Sequence, residues 1–336
     1  MKNALIDMPV EAGALKRLQR ISELTVRLIE PREYARPVPV ETIADVHILF
    51  CTYPPENFSD MKCVELIQLA SAGYSQLYPL GLAQKGVAAC NARGVFDVPV
   101  AEWNVAMMIN LARNLRGMIR NQEAGVWDRR SEFQREIRGL TVGIWGYGGI
   151  GRETARLAKA LGMIVFAMTR HGISPQLNTY RVEGTGDPGG VLPDRVFLTG
   201  QEIEFLARLD FLVLAMPHTR HTAGVVGEAE LRALPDTAFV LNAARGSLIE
   251  EGALLMALRK GWIAGAALDT HYQYPLPADH PLWHFPNVIL TPHISGSTLS
   301  PHTSERTWDV FVQNVERYMA GRTLLNQLSA AQLNGE

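Results

Sequence analysis

Cysteine is scarce and unpatterned: Cys51, Cys63 and Cys90 are odd in number and show no C-x-x-C spacing. Apolar neighbours along the chain make them read as buried free thiols, which leaves out a disulfide framework and a metal site. Charge of one sign is also missing. Thirty-two Lys and Arg stand against 34 Asp and Glu, for a formal charge of −2, and no polybasic stripe occurs. Nucleic acid and anionic membrane surfaces are therefore not expected partners. Nor is there a long hydrophobic run. The N-terminus, MKNALIDMPVEAGALKRLQR, lacks an apolar stretch of signal-peptide length, and no uncharged run approaches the roughly 20 residues of a membrane span. The expectation is a cytoplasmic protein. With 47% hydrophobic and 20% charged residues over 336 positions, the chain is long enough for two ordinary domains.

From Leu140 onward, apolar runs (TVGIW, IVFAMT, FLVLAMP, AFVLNA, GAALD, VILTPH) alternate with helical segments such as RETARLAKAL and EGALLMALRKG. Strands that are apolar throughout, with helices between them, imply a parallel sheet covered on both faces. The first hundred residues repeat the style more weakly in TVRLIE, DVHILFC, CVELIQLA and VAACN, which predicts a second, smaller α/β domain. Between the two, Val100, Met107, Met108, Leu111 and Leu115 recur at helical spacing, with Pro99 near the start. A further helix is expected over Pro301–Met319, crossing back to the first domain. The stretch ISPQLNTYRVEGTGDPGGVLPDR is long and rich in Gly and Pro, and loops of this length are usually functional or mobile.

Gly146, Gly148 and Gly151 form G-x-G-x-x-G between the strand Thr141–Trp145 and a helix beginning at Gly149 and Ile150. The first glycine permits a tight turn, the second lets the backbone approach a pyrophosphate, and the third allows close helix–strand packing. At the end of the next strand, an NAD site would place an acidic residue on the ribose 2′-hydroxyl. This chain has Thr169, Arg170 and His171. An arginine suits a 2′-phosphate, so NADP(H) is the favoured cofactor and NAD(H) stays open; a plain solvated charge is the other reading of Arg170.

Three more segments end strands: LNAARGSLIEEGAL, GAALDTHYQYPLPADHPLW and NVILTPHISGST. In open α/β sheets the ligand crevice lies at the carboxyl ends of the strands, so Arg245, Asp269 and His293 should converge there. A buried arginine can grip a carboxylate bidentately, and a histidine can exchange a proton near neutral pH. Together with SAGY at Ser71–Tyr74 and VAEWNVAMMINLARN at Val100–Asn114, these segments resemble the D-isomer-specific 2-hydroxyacid dehydrogenases, from about Ile67 to the end of the chain.

The resemblance implies a Rossmann cofactor domain, 99–296, inserted into a flavodoxin-like substrate domain formed by 1–98 and 297–336, and a homodimer with Asn121–Arg138, including Trp127, as its arm. It implies hydride transfer between a nicotinamide and a 2-oxo acid, as in glyoxylate or hydroxypyruvate reduction. By motif position Arg245 would bind the substrate carboxylate, His293 would be the general acid in reduction, and the backbone amides around Ala72 and Gly73 would help to hold the carboxylate. Asp269 would face the nicotinamide carboxamide, and Pro217, Thr222 and Ala243 match cofactor-contacting turns.

One member of the family's set is missing. The pattern usually carries a glutamate five residues after the aspartate, and here Asp269-Thr-His-Tyr-Gln-Tyr274-Pro-Leu-Pro puts Tyr274 in its place with the prolines in register. An anionic glutamate would stabilise imidazolium; a phenol, titrating ordinarily near ~10, offers a hydrogen bond but no charge. Formate dehydrogenases of the same superfamily use glutamine there, but Gln273 is one place early and Phe96 occupies the position of their formate-holding asparagine. Formate is not the expected substrate. Two other readings stay open: an unusual substrate with Tyr274 shaping the pocket, and a dinucleotide-responsive binding protein with weak catalysis. Tyr53, Pro54, Pro55 and Tyr74 suggest an aromatic wall, or simply loop packing.

Overall fold

The computed structural model describes residues 1–335. They form two compact units: Met1–Phe96 with Leu177–Val182 and the chain from Thr298 onward, and Asp97–Gln176 with Glu183–Ser297. The short segment Leu177–Val182, inside the long insert, belongs to the first unit.

The first unit is a five-stranded parallel sheet of β1 (Lys2–Asp7), β2 (Leu24–Leu28), β3 (Ile48–Cys51), β4 (Leu66–Leu69) and β5 (Ala88–Cys90), in the order β2-β1-β3-β4-β5. Side chains alternate across a strand, so Leu5, Leu49 and Ile67 enter one core layer and Ala4, Ile6, Ile48, Phe50 and Leu66 the other. The second layer is closed by the helix Pro301–Met319. Its Trp308 and Phe311 pack on Phe50, the two phenylalanine rings stacking at 4.2 Å. At roughly 1.5–3 kcal/mol for a buried side chain of this size, this seam assigns the helix to the first unit. Two expectations need correction. The sequence reading passed over β1, because Lys2 and Asn3 dilute its apolar pattern, yet Ala4–Asp7 are buried between two neighbours. Cys63 is exposed, in a turn before β4, whereas Cys51 and Cys90 are buried; burial pushes the Cys51 thiol well up and the Cys90 thiol to about 12.

The second unit is a seven-stranded parallel sheet: β6 (Thr141–Trp145), β7 (Ile164–Thr169), β8 (Arg195–Leu198), β9 (Phe211–Leu214), β10 (Phe239–Asn242), β11 (Gly265–Leu268) and β12 (Val288–Leu290). Its order is β12-β11-β10-β9-β6-β7-β8, so the chain builds outward from β6 in both directions and the switch point lies between β6 and β9. The edge strand β8 was not foreseen, since only Phe197 of its four residues is buried. The single helix expected beyond Pro99 is two, Asp97–Ala112 and Leu115–Glu123. Asn114 divides them with a left-handed backbone (φ 45°), and its side chain caps the second helix at the Gly117 N–H, leaving Leu115 exposed.

The long insert is pinned down. In the second unit, Asp187 accepts hydrogen bonds from the N–H groups of Gly190, Val191 and Leu192 and from the Tyr147 hydroxyl of the glycine loop. Arg152, buried over the Tyr147 ring, donates to the carbonyls of Tyr147, Ser174 and Asp187. In the first unit, Tyr180 is buried with Ala92, Val95, Val310 and Leu325, and its N–H donates to Asn326. Among the described residues, no helix is long and apolar enough to cross a membrane.

Candidate active site

The residues singled out in the second unit all lie at the carboxyl ends of strands. Gly146 follows β6, and a Cβ there would meet the Ala215–Met216 backbone at 2.7 Å. Gly151 likewise packs on the Gly146 carbonyl. At Gly148, which precedes the helix Gly149–Ala160, the Cβ position faces open space and there is no capping side chain. A helix N-terminus approached through such a gap favours an anion. After β7, the Thr169 hydroxyl is buried without a hydrogen-bond partner, and the Nε of Arg170 donates to His171 Nε2 at 2.8 Å. Thr222 Oγ1 donates to the Pro217 carbonyl at 2.7 Å, closing the turn beyond β9, and Ala243 is buried just after β10. An open glycine cradle, an unused buried hydroxyl and an exposed Arg–His pair fit a nicotinamide dinucleotide.

Arg245 is set by a residue that the sequence reading did not single out. Asn242, buried at the end of β10, accepts from the Ala244 N–H and donates to the Arg245 carbonyl, gripping both ends of the turn. The guanidinium itself is exposed rather than buried, with Nη1 donating to the Ala244 carbonyl at 2.6 Å. Gly246 continues the turn against the backbone of His271, where a Cβ would come within 2.6 Å of the carbonyl group. This contact joins the Arg245 turn to the segment that carries Tyr274.

His293 lies on the loop beyond β12 with a left-handed backbone (φ 58°). Asp269 holds that loop: fully buried, it accepts from the Thr291 hydroxyl at 2.5 Å and from the N–H groups of Ile294 and Ser295 at 2.9 Å. Both carboxylate oxygens thus take part in fixing the histidine loop. Tyr274 is 57% exposed, its ring 5.5 Å from that of His293. Its hydroxyl accepts from the His271 N–H at 3.2 Å. Partial burial lowers the proton affinity of His293 below the usual histidine range; the Asp269 charge opposes this, while Arg245 and His271 add to it.

In the first unit, the loop Ser71–Tyr74 has its carbonyls occupied from within. Ser71 accepts from the Ala92 N–H, Ala72 from Asn91 Nδ2, Gly73 from the Ser71 hydroxyl, and Tyr74 from the Leu77 N–H. The N–H groups of Ala72 and Gly73 donate to no acceptor among the described residues. A loop that satisfies its acceptors and presents its donors is suited to an anion. Pro54 and Pro55 are buried, so only Tyr53 and part of Tyr74 remain of the expected aromatic wall. Among the described residues, no cluster of three or more His, Cys, Asp or Glu is placed to hold a metal.

The model of the D-isomer specific 2-hydroxyacid dehydrogenase NAD-binding domain matches residues 105–295, more than half of the chain. A D-3-phosphoglycerate dehydrogenase of Archaeoglobus fulgidus is 33% identical over 70% of this chain, which spans only 42% of that protein's length. A glyoxylate reductase of Thermofilum pendens is 30% identical over 70% of this chain and 67% of its own. The crystal structure of a D-isomer specific 2-hydroxyacid dehydrogenase family protein from Aeromonas salmonicida superposes with a TM-score of 0.77 at 26% identity, covering 98% of this chain and 99% of the other. The match takes in the glycine loop, the Arg245 turn and the His293 loop, and the chain belongs to the D-isomer-specific 2-hydroxyacid dehydrogenase family.

Proposed function

We propose that this protein is an NADP(H)-dependent oxidoreductase interconverting a small 2-oxo acid and its D-2-hydroxy acid. The observation that carries the reading is the placement of Arg245 and His293 on loops joined through the His271–Tyr274 segment, on the sheet edge that also bears the open glycine cradle. A nicotinamide cofactor, when bound, supplies or takes the hydride. Gly146–Gly151, Thr169, Arg170, His171, Pro217, Thr222 and Ala243 would hold it. Arg245 would orient the substrate by its carboxylate and draw charge from the carbonyl. His293 would give its proton to the carbonyl oxygen in reduction and recover it in oxidation. Following NADPH oxidation with glyoxylate, hydroxypyruvate, pyruvate and bulkier aryl 2-oxo acids tests this directly. Turnover of none of them, with tight NADPH binding, would favour a dinucleotide-responsive binding role instead.

The preference for NADPH rests on Arg170. Its bond to His171 presents a guanidinium with its outer nitrogens free, beside an unpaired Thr169 hydroxyl, and no carboxylate stands among residues 170–182 after β7 to repel a 2′-phosphate. Arg170→Ala is expected to weaken NADPH binding by about 10–100-fold, the worth of one charge-assisted hydrogen bond, and to leave NADH nearly unchanged. Titration of both reduced cofactors checks it; equal losses for the two would refute the assignment.

Pairing with a second copy belongs to the same proposal. Leu115 and Ile119, one helical turn apart, are exposed together with Ile109 and Val126, and Trp127 is 90% exposed. Apolar surface of this kind is rarely left to water. Sedimentation should give twice the 37.1 kDa chain mass, falling toward one chain in Trp127→Arg. A native protein that sediments as a single chain would rule this out.

A further inference from the structure

We propose that His271 is a positioning residue for His293, holding the two groups that flank it: the Thr291 carbonyl on the backbone side and the Tyr274 hydroxyl on the ring side. The inference rests on the reading of His293 as the proton carrier. His271 is more than nine-tenths buried, and its Nε2 lies 2.8 Å from the Thr291 carbonyl oxygen. A carbonyl can only accept, so Nε2 carries the hydrogen of this bond. The same carbonyl also accepts the His293 N–H at 3.0 Å. One oxygen therefore ties the buried imidazole to the backbone of a residue that sits in a left-handed conformation, a geometry that persists in a side-chain-bearing residue only when its surroundings impose it.

On the other side the contact runs through Tyr274. Its oxygen accepts from the His271 N–H, so its own hydrogen is still to be given. His271 Nδ1 is buried and lacks a hydrogen-bond partner among the described residues, the Tyr274 hydroxyl included. Tyr274 therefore meets His271 at its backbone N–H and His293 with its ring. Through Thr291 and Tyr274, His271 braces both sides of the proton-carrying residue. The charged and titratable groups around His293 are Asp269, Arg245, His271 and Tyr274.

His271→Phe keeps the bulk of the ring without its nitrogens, and His271→Gln restores a donor toward Thr291. Part of the 10²–10⁴-fold worth of acid–base help depends on positioning, so His271→Phe is expected to lower kcat about ten-fold. KM for NADPH should not change. His271→Gln should recover most of kcat. Unchanged kcat in His271→Phe, or no recovery of kcat in His271→Gln, would overturn the inference. Should His271→Phe fail to fold, His271→Leu takes its place, unchanged kcat again being the refuting result. His293→Asn separates the two levels. Full activity there removes the proton-carrier reading itself, whereas an inactive His293→Asn beside a native-like His271→Phe removes only the brace.

Discussion

His293→Asn is expected to lower reduction of the best 2-oxo acid by about 10²–10⁴-fold, the usual worth of general acid–base help, with NADPH affinity kept within a few-fold. Asn retains a hydrogen-bond donor of similar reach but has no proton to transfer, so kcat should fall more than KM rises. The pH profile carries the second half of the expectation. Reduction needs imidazolium, and partial burial, with Arg245 and His271, holds the proton affinity of His293 below the usual range against the opposing charge of Asp269. As pH rises through that lowered value the donor is lost, so the basic limb should lie below the ~6.5 of an unperturbed histidine. Tyr274→Glu places a negative charge where a ring now lies 5.5 Å from His293; it favours the protonated form and should move the limb upward. The series is run where chemistry limits turnover. Full activity in His293→Asn would overturn the proton assignment, and a limb unmoved in Tyr274→Glu would show that position 274 does not tune the histidine.

What could be read from sequence, and what could not, divides along the range of the contacts. The glycine loop was legible because a pyrophosphate cradle demands small residues at fixed spacing next to a strand and a helix, and all of that lies within a dozen residues of sequence. The strand-end positions of Arg245, Asp269 and His293 were legible for the same reason: an apolar strand is easy to find, and its carboxyl end follows. The bracing groups were not. Asn242 acts three residues away, but a polar side chain at the end of an apolar strand does not show whether it faces the turn or water. His271 bonds to Thr291, 20 residues on, and Asp187 bonds to Tyr147 across 40. Such pairs exist only once the sheet has brought neighbouring loops together. Cys63 failed in the opposite sense: Val64 and the apolar run of β4 follow it in sequence, but the turn before β4 leaves it exposed. Sequence marks the Asp269 carboxylate at its strand end without showing that it also accepts from the N–H groups of Ile294 and Ser295.

Arg245→Lys is the second large effect expected, with a loss of about 10–100-fold in kcat/KM for a 2-oxo acid and little change in NADPH binding. A planar guanidinium can give two parallel hydrogen bonds to a carboxylate, while an ammonium keeps the charge as a point and gives up the fork. One charge-assisted hydrogen bond is worth about 1.5–3 kcal/mol, which corresponds to that range of rate. The geometry makes the loss local. Asn242 holds the turn through the Ala244 N–H and the Arg245 carbonyl, so the backbone keeps its shape whichever side chain it bears. Only the Nη1 bond to the Ala244 carbonyl is forfeited in the free protein, and that bond lies at the exposed surface. Folding stability should therefore hold within about 0.5 kcal/mol, as for exposed substitutions in general. Asn242→Ala offers the contrast: it leaves the guanidinium in place but frees the turn, and should raise KM for the 2-oxo acid through misplacement of an intact arginine. Steady-state constants for the native protein and both variants, with thermal midpoints alongside, decide it. Unchanged constants in Arg245→Lys would show that the substrate carboxylate is held elsewhere.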